Sequence, residues 1–321
     1  MNLQRRDFLK LGFFSSLCGV VVPNLDDVIE PTGGDDTAML QSAIDALNAN
    51  YAFVGVDNAR LRLKGTFRVS SLTILDKYRV RIEGEDALIV GDINITGCTY
   101  LMIDNIHVNG NITFSRHNGV GTALSMRDCM IHGDLNIDDA DTSTFERVTV
   151  YGKTTLRKWY ATMKGVSFYD CWLDDVDLYG VDSVSFKNCY HTGQIVTSGI
   201  NNGVHFHGVV VENVPIFLHV VSGKLHNLTM EGVNATSGQE FLIEHDSPDN
   251  SYYWELHVAN KGSTKYLHVK RGGLYAADIK CGGYDIINDG VITESFIVGL
   301  GSLPISGNPA TFSKVMSTHW G

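Results

Sequence analysis

The chain has 321 residues, 44% of them apolar and only 19% charged, with 33 glycines and 6 prolines. That is enough apolar material for a large core, and so few prolines exclude a linker-rich or disordered chain. The formal charge of −11 comes from carboxylates spread along the chain, which excludes a partner gripped through phosphates, so no nucleic acid is expected.

The first element, residues 1–30, carries "QRRDFLKLGFFSSLCGVVV": paired Arg5 and Arg6, then Phe8, Leu9 and Lys10, then an apolar stretch. It resembles a twin-arginine export signal, which implies passage of the folded protein to the periplasm or cell surface. No small-x-small cleavage site follows the apolar stretch. Leu17-Cys18 also lacks the small residue that a lipoprotein box places before its cysteine. A retained segment would act instead as an attachment arm, and both readings stand on the sequence. Beyond residue 24 no apolar run approaches the ~20 residues that cross a bilayer.

A helix is expected next. "GDDTAMLQSAIDALNA" places Leu40, Ala43, Ile44 and Leu47 on one stripe. Asp35, Asp36 and Thr37 are its N-cap candidates. After the helix a short phrase recurs: "LMIDNIHVNG" from 101, "LSMRDCMIHG" from 124, "STFERVTVYG" from 143, "VSFYDCWLDD" from 166, "VSFKNCYHTG" from 184 and "VHFHGVVVEN" from 204. The starts are 23, 19, 23, 18 and 20 residues apart, a period that marks a solenoid. Positions one, three, six and eight of the phrase are mostly apolar, and position five is usually Asp, Asn or Gly. That reads as a period-2 strand, a polar kink and a second strand. Weaker copies begin at Val80 and Leu228. The fold expected is all-β, a parallel β-helix behind a capping helix.

"GDDTAMLQSAIDA", residues 34–46, together with the repeat, resembles the right-handed parallel β-helix of the pectin lyase-like superfamily. Its members often open with Gly-Asp-Asp-Thr-Ala-x-Leu-Gln-x-Ala-Ile-Asp-Ala, a helix that plugs the end of the coil. The resemblance covers roughly residues 31–245, read as capping helix and β-helix. Residues 246–321 are read as final coils with a C-terminal cap or an oligomer contact. The Gly-His-Gly, Asn-Thr-Asp and Arg-Ile-Lys signatures of polygalacturonases are absent, and no pectate lyase calcium set appears. The likeness therefore carries no catalytic residue across.

Stacked coils turn phrase positions into columns. Position six gives Ile106, Cys129, Val148, Cys171, Cys189 and Val209, facing inward. Side chains stacked in parallel favour buried thiols over a Cys171–Cys189 disulfide. Position seven gives His107, Met130, Thr149, Trp172, Tyr190 and Val210, facing outward. Trp172 and Tyr190, with Tyr151 nearby, are the candidate carbohydrate-binding rings, although such a pair also suits a subunit contact. Position nine gives Asn109, His132, Tyr151, Asp174, Thr192 and Glu212. Asp174 and Glu212 fall two coils apart, about 10 Å in a regular ladder. An inverting glycosidase uses carboxyls roughly 6.5–9.5 Å apart. Asp174 and Glu212, with Asp175 and Asp177 beside them, are the candidate catalytic residues. A decorated acidic surface is the competing reading. His205, His207 and His219 look crowded, but an exposed histidine pair is the simpler reading, and neither a metal nor a cofactor is expected.

Two classes of function follow. The N-terminal arm, capping segment and coil resemble phage tailspikes: receptor-binding proteins on bacterial surface polysaccharide, expected as homotrimers joined to virion tail proteins through the N-terminus. The alternative is an exported polysaccharide lyase or glycoside hydrolase, and a rigid structural spacer is a third reading.

Overall fold

The computed structural model describes residues 28–47, 59–117, 123–140, 142–159, 165–212, 214–235, 240–258, 265–275, 278–281, 286–293, 295–299, 305–307 and 312–317. The twin-arginine-like stretch lies outside the described residues. Among them, no helix is long and apolar enough to cross a membrane.

The chain winds into a parallel β-solenoid. One ladder runs from Leu61 through Ile82, Ile103, Met126, Phe145, Phe168, Phe186, Phe206, Met230, Leu256, Ile279 and Ile297 to Val315. Every pairing in it is parallel. The described strands beyond residue 246 thus carry the same ladder onward as far as Val315. The weaker copies at Val80 and Leu228 join it too, the first through a register shift between Glu83 and Ala87.

Each phrase supplies strands to a first and a second sheet, and the residues between phrases supply a third. One coil shows the division: Val166–Tyr169, Trp172–Leu173 and Val176–Tyr179. The kink between the first two strands is left-handed. Asn105, Asp128, Asp170, Asn188 and Gly208 all sit there at φ 53–63°, and Arg147 joins them at φ 52°. Asn, Asp and Gly tolerate this conformation with least strain, which explains the fifth position of the phrase.

The corner between second and third sheets is held by a side-chain ladder. Asp92 Oδ1 accepts the Asn111 N–H, Asn111 Oδ1 the Asp134 N–H, and Asp134 Oδ1 the Lys153 N–H, at 2.8–2.9 Å. The preceding glycines let the corners approach: a Cβ on Gly133 would lie 2.4 Å from the Gly110 carbonyl oxygen.

The interior is filled by like on like. Phe145, Phe168, Phe186 and Phe206 stack with centroids 4.8, 5.1 and 5.1 Å apart. Cys129, Cys171 and Cys189 are buried and free in the inward column, as the repeat predicts. Each thiol donates to backbone carbonyls, Cys171 to those of Phe145 and Tyr169.

Helix α1 (Thr37–Ala46) closes the first coil with Leu40, Ala43 and Ile44 buried. Its polar residues satisfy the strand edge beneath. Asp36 accepts the Arg68 N–H at 3.1 Å, Thr37 Oγ1 accepts the Ser70 N–H at 2.9 Å, and the Gln41 amide both donates to and accepts from the Thr73 backbone at 2.8 and 2.9 Å. An open strand edge needs such partners. Burial works against the Asp36 carboxylate, but hydrogen bonds from Thr32 and Arg68 outweigh it and hold its pKa below the ordinary value.

Candidate functional site

The outer column of the second sheet stands as the repeat places it. His107, Met130, Thr149, Trp172, Tyr190 and Val210 are register partners in turn. Trp172 and Tyr190 touch with centroids 4.6 Å apart and planes tilted by 52°. Tyr151 stacks on His132 at 5.0 Å with planes 12° apart, one corner along. Trp172 is 46% and Tyr151 51% exposed, so neither ring is spent on the core.

Beside these rings the corner changes length from coil to coil. Three residues, Tyr151 to Lys153, separate Val150 from Thr154, whereas only Asp174 and Asp175 separate Leu173 from Val176. Three separate His191 from Ile195, and then a longer excursion from Glu212 precedes Ile216. A short corner below a long one leaves a cleft. It has a volume of about 420 Å³ and is lined by Asp174, Asp175, Thr192, Gln194, Pro215 and Ile216, among others.

The four candidate carboxylates are divided by this geometry. Asp174 and Asp175 lie together in the cleft; Asp174 Oδ1 accepts from Thr192 Oγ1 at 3.3 Å, and Asp175 Oδ1 accepts the Gln194 N–H at 2.8 Å. Asp175 thus repeats the corner-holding role of Asp134. Glu212 stands farther along the same column, outside the residues lining the cleft, with its N–H on the His191 carbonyl. Asp177 faces outward on the third sheet, paired with Lys153 at 2.6 Å.

The three histidines do not form a group. His205 and His207 point outward from the first sheet, and His207 pairs with Glu231 at 3.0 Å. His219 belongs to the third sheet, where its register partner is Glu244. A second exposed pair of rings, Trp159 and Tyr179, lies 6.0 Å apart at a different corner. The sequence reading missed it, because Trp159 falls between phrases and the pair shares no column.

The lower coils of the first sheet are covered by ion pairs instead of rings. Arg81 and Arg127 converge on Asp104, and Arg147 on Asp128. Such surface pairs contribute little stability.

No protein-family model matches the chain, and no curated protein matches it. Similar solved structures include PfbA, a surface adhesin of Streptococcus pneumoniae, at 13% identity and TM-score 0.40 over 88% of this chain and 89% of that one. The A-module of the Azotobacter vinelandii mannuronan C-5 epimerase AlgE6 is similar at 12% identity and TM-score 0.39, over 89% and 96%. The tailspike protein of E. coli bacteriophage HK620, in complex with a hexasaccharide, is similar at 13% identity and TM-score 0.30, over 89% and 76%. The parallel coil described above rests on its own ladders.

Proposed function

We propose that this chain is a polysaccharide-binding β-helix protein of the tailspike or receptor-binding kind, holding a bacterial surface glycan along the outer edge of its second sheet. The observation that carries the reading is the run of rings, exposed Tyr151 and Trp172 with half-buried Tyr190, beside a cleft holding Asp174. Flat rings take the apolar faces of sugars, and a carboxylate accepts from their hydroxyls. A homotrimer and a virion or bacterial-surface location belong to the same proposal.

The cleft favours a second reading, cleavage of the bound glycan. Asp174 and Glu212 have one coil between them, which sets their backbones about 10 Å apart. In this reading Asp174 protonates the leaving oxygen while Glu212 activates water, the arrangement of an inverting hydrolase.

The test titrates oligosaccharides from bacterial surface polysaccharide into the protein. Trp172→Ala removes an exposed ring without opening the core, and is expected to weaken binding about tenfold. Unchanged affinity would remove the ring edge from the proposal. Asp174→Asn is expected to abolish any release of oligosaccharide. Full release in that variant excludes Asp174, and no release by the parent across a broad glycan panel leaves binding alone. Sedimentation as a monomer would favour the exported lyase or hydrolase.

A further inference from the structure

The third sheet carries a polar cluster that the glycan reading does not use. Register stacks Val196, His219, Glu244, His268 and Ile287 in one outward column. His219, Glu244 and His268 therefore occupy three successive coils. Although the column faces outward, the Glu244 side chain is only 3% exposed. A carboxylate that deep requires positive charge or hydrogen-bond donors around it.

Three groups face it. His219 Nε2 lies 3.3 Å from Oε1, His268 Nδ1 lies 3.4 Å from Oε2, and Lys270 Nζ lies 2.9 Å from Oε1. Both of these imidazole nitrogens are shut off from solvent, and neither makes a hydrogen bond. Asp246 closes the group: one ligand atom each from His219, Glu244 and Asp246 all lie within 4.8 Å of one another. Asp246 also accepts from Arg271 Nε at 2.6 Å.

The tautomer of His268 sharpens the argument. Its other nitrogen, Nε2, lies 3.1 Å from Asp289 Oδ2. A carboxylate there accepts, so a neutral His268 donates from Nε2 and turns its Nδ1 lone pair towards Glu244. Lone pair against carboxylate oxygen is repulsive unless a proton or a cation lies between them.

We propose that His219, Glu244 and Asp246 bind one divalent first-row transition-metal ion, with His268 set against Glu244 beside it. One imidazole and two carboxylates suit Zn²⁺ and its neighbours better than Mg²⁺ or Ca²⁺, which prefer oxygen alone. The Lys270 side chain is 40% exposed. Its ammonium occupies the position of a competing cation and swings to solvent when the ion enters. The bound ion ties two coils together in the part of the coil where the column spacing has lengthened to 25 residues.

Zinc chloride titrated calorimetrically into the tag-free, chelator-treated full chain tests the site. One ion per chain is expected, undisturbed by excess Mg²⁺. His219→Ala should weaken binding roughly tenfold or more. Lys270→Ala should tighten it, because the competing ammonium is gone. Lys270 is a surface residue, so that variant reads the site even where His219→Ala fails to fold. A parent that takes up no zinc overturns the proposal, and so does a Lys270→Ala variant that binds no more tightly than the parent. Neither result bears on glycan binding, which is read separately through Trp172.

Discussion

His191 sits in a column whose other members are Val108, Ile131, Val150, Leu173 and Val211. It is fully buried between the edges of Phe186 and Phe217, each 5.5 Å away, and neither ring nitrogen has a partner. Burial pushes its pKa down from 6.5 to about 3. The imidazole is therefore neutral in the folded chain at neutral pH, where it adds nothing to the pH dependence. As pH falls below 6.5 the unfolded chain takes up a proton that the folded chain refuses until about pH 3. Stability then falls by about 1.4 kcal/mol per pH unit from this one residue across that window. His245 is depressed by burial as well and acts in the same direction. Replacing His191 by the Leu of the coil below should remove two buried, unpaired nitrogens and stabilise the protein at pH 7 by on the order of 1 kcal/mol. Urea unfolding at several pH values checks both effects; an unchanged slope between pH 6 and pH 4 would assign the acid sensitivity elsewhere.

At the level of elements, helix α1 works as a lid made of hydrogen bonds as much as of apolar surface. Gln41→Ala keeps a good helix former but leaves the Thr73 N–H and carbonyl to water. It should cost about 1 kcal/mol and raise hydrogen exchange at the Thr73 amide, while leaving the amides of the Phe168 and Phe186 strands protected. Loss of protection throughout would mean that the coil unfolds as a single unit. This capping role was legible in the motif "GDDTAMLQ", since Asp36, Thr37 and Gln41 are the side chains that partner the open strand edge. The outward Trp172–Tyr190 column and the inward cysteines were legible for a related reason: strand positions recur once per coil, and register follows the count. The cleft was not legible. It exists because the corner at Asp174 is one residue short and the one beginning at Glu212 is long, and a repeat read from strand phrases is blind to the lengths between them. The His219, Glu244 and His268 column was hidden likewise, because it lies on the third sheet, outside the phrase, where the spacing had already drifted.

Taken whole, the chain is strongly acidic, and two of its carboxylates, Asp174 and Asp175, stand at the proposed point of glycan contact. A formal charge of −11 repels polyanions. Beyond about 10 Å that repulsion is screened in 0.1 M salt, so the far charges fade first and the cleft pair persists longest. Neutral glycans should bind with affinities that barely change between low and moderate ionic strength. Carboxylated or sulfated glycans should bind weakly at low salt and gain affinity as salt is added, the reverse of a basic receptor. The double variant Asp174→Asn, Asp175→Asn should reduce that gain, because both carboxylates line the cleft. The corner itself survives the change, since the amide oxygen of Asn can still accept the Gln194 N–H that Asp175 accepts now. Affinity for a polyanionic glycan that instead falls as salt rises would place the binding surface on a basic patch, away from Trp172 and its cleft.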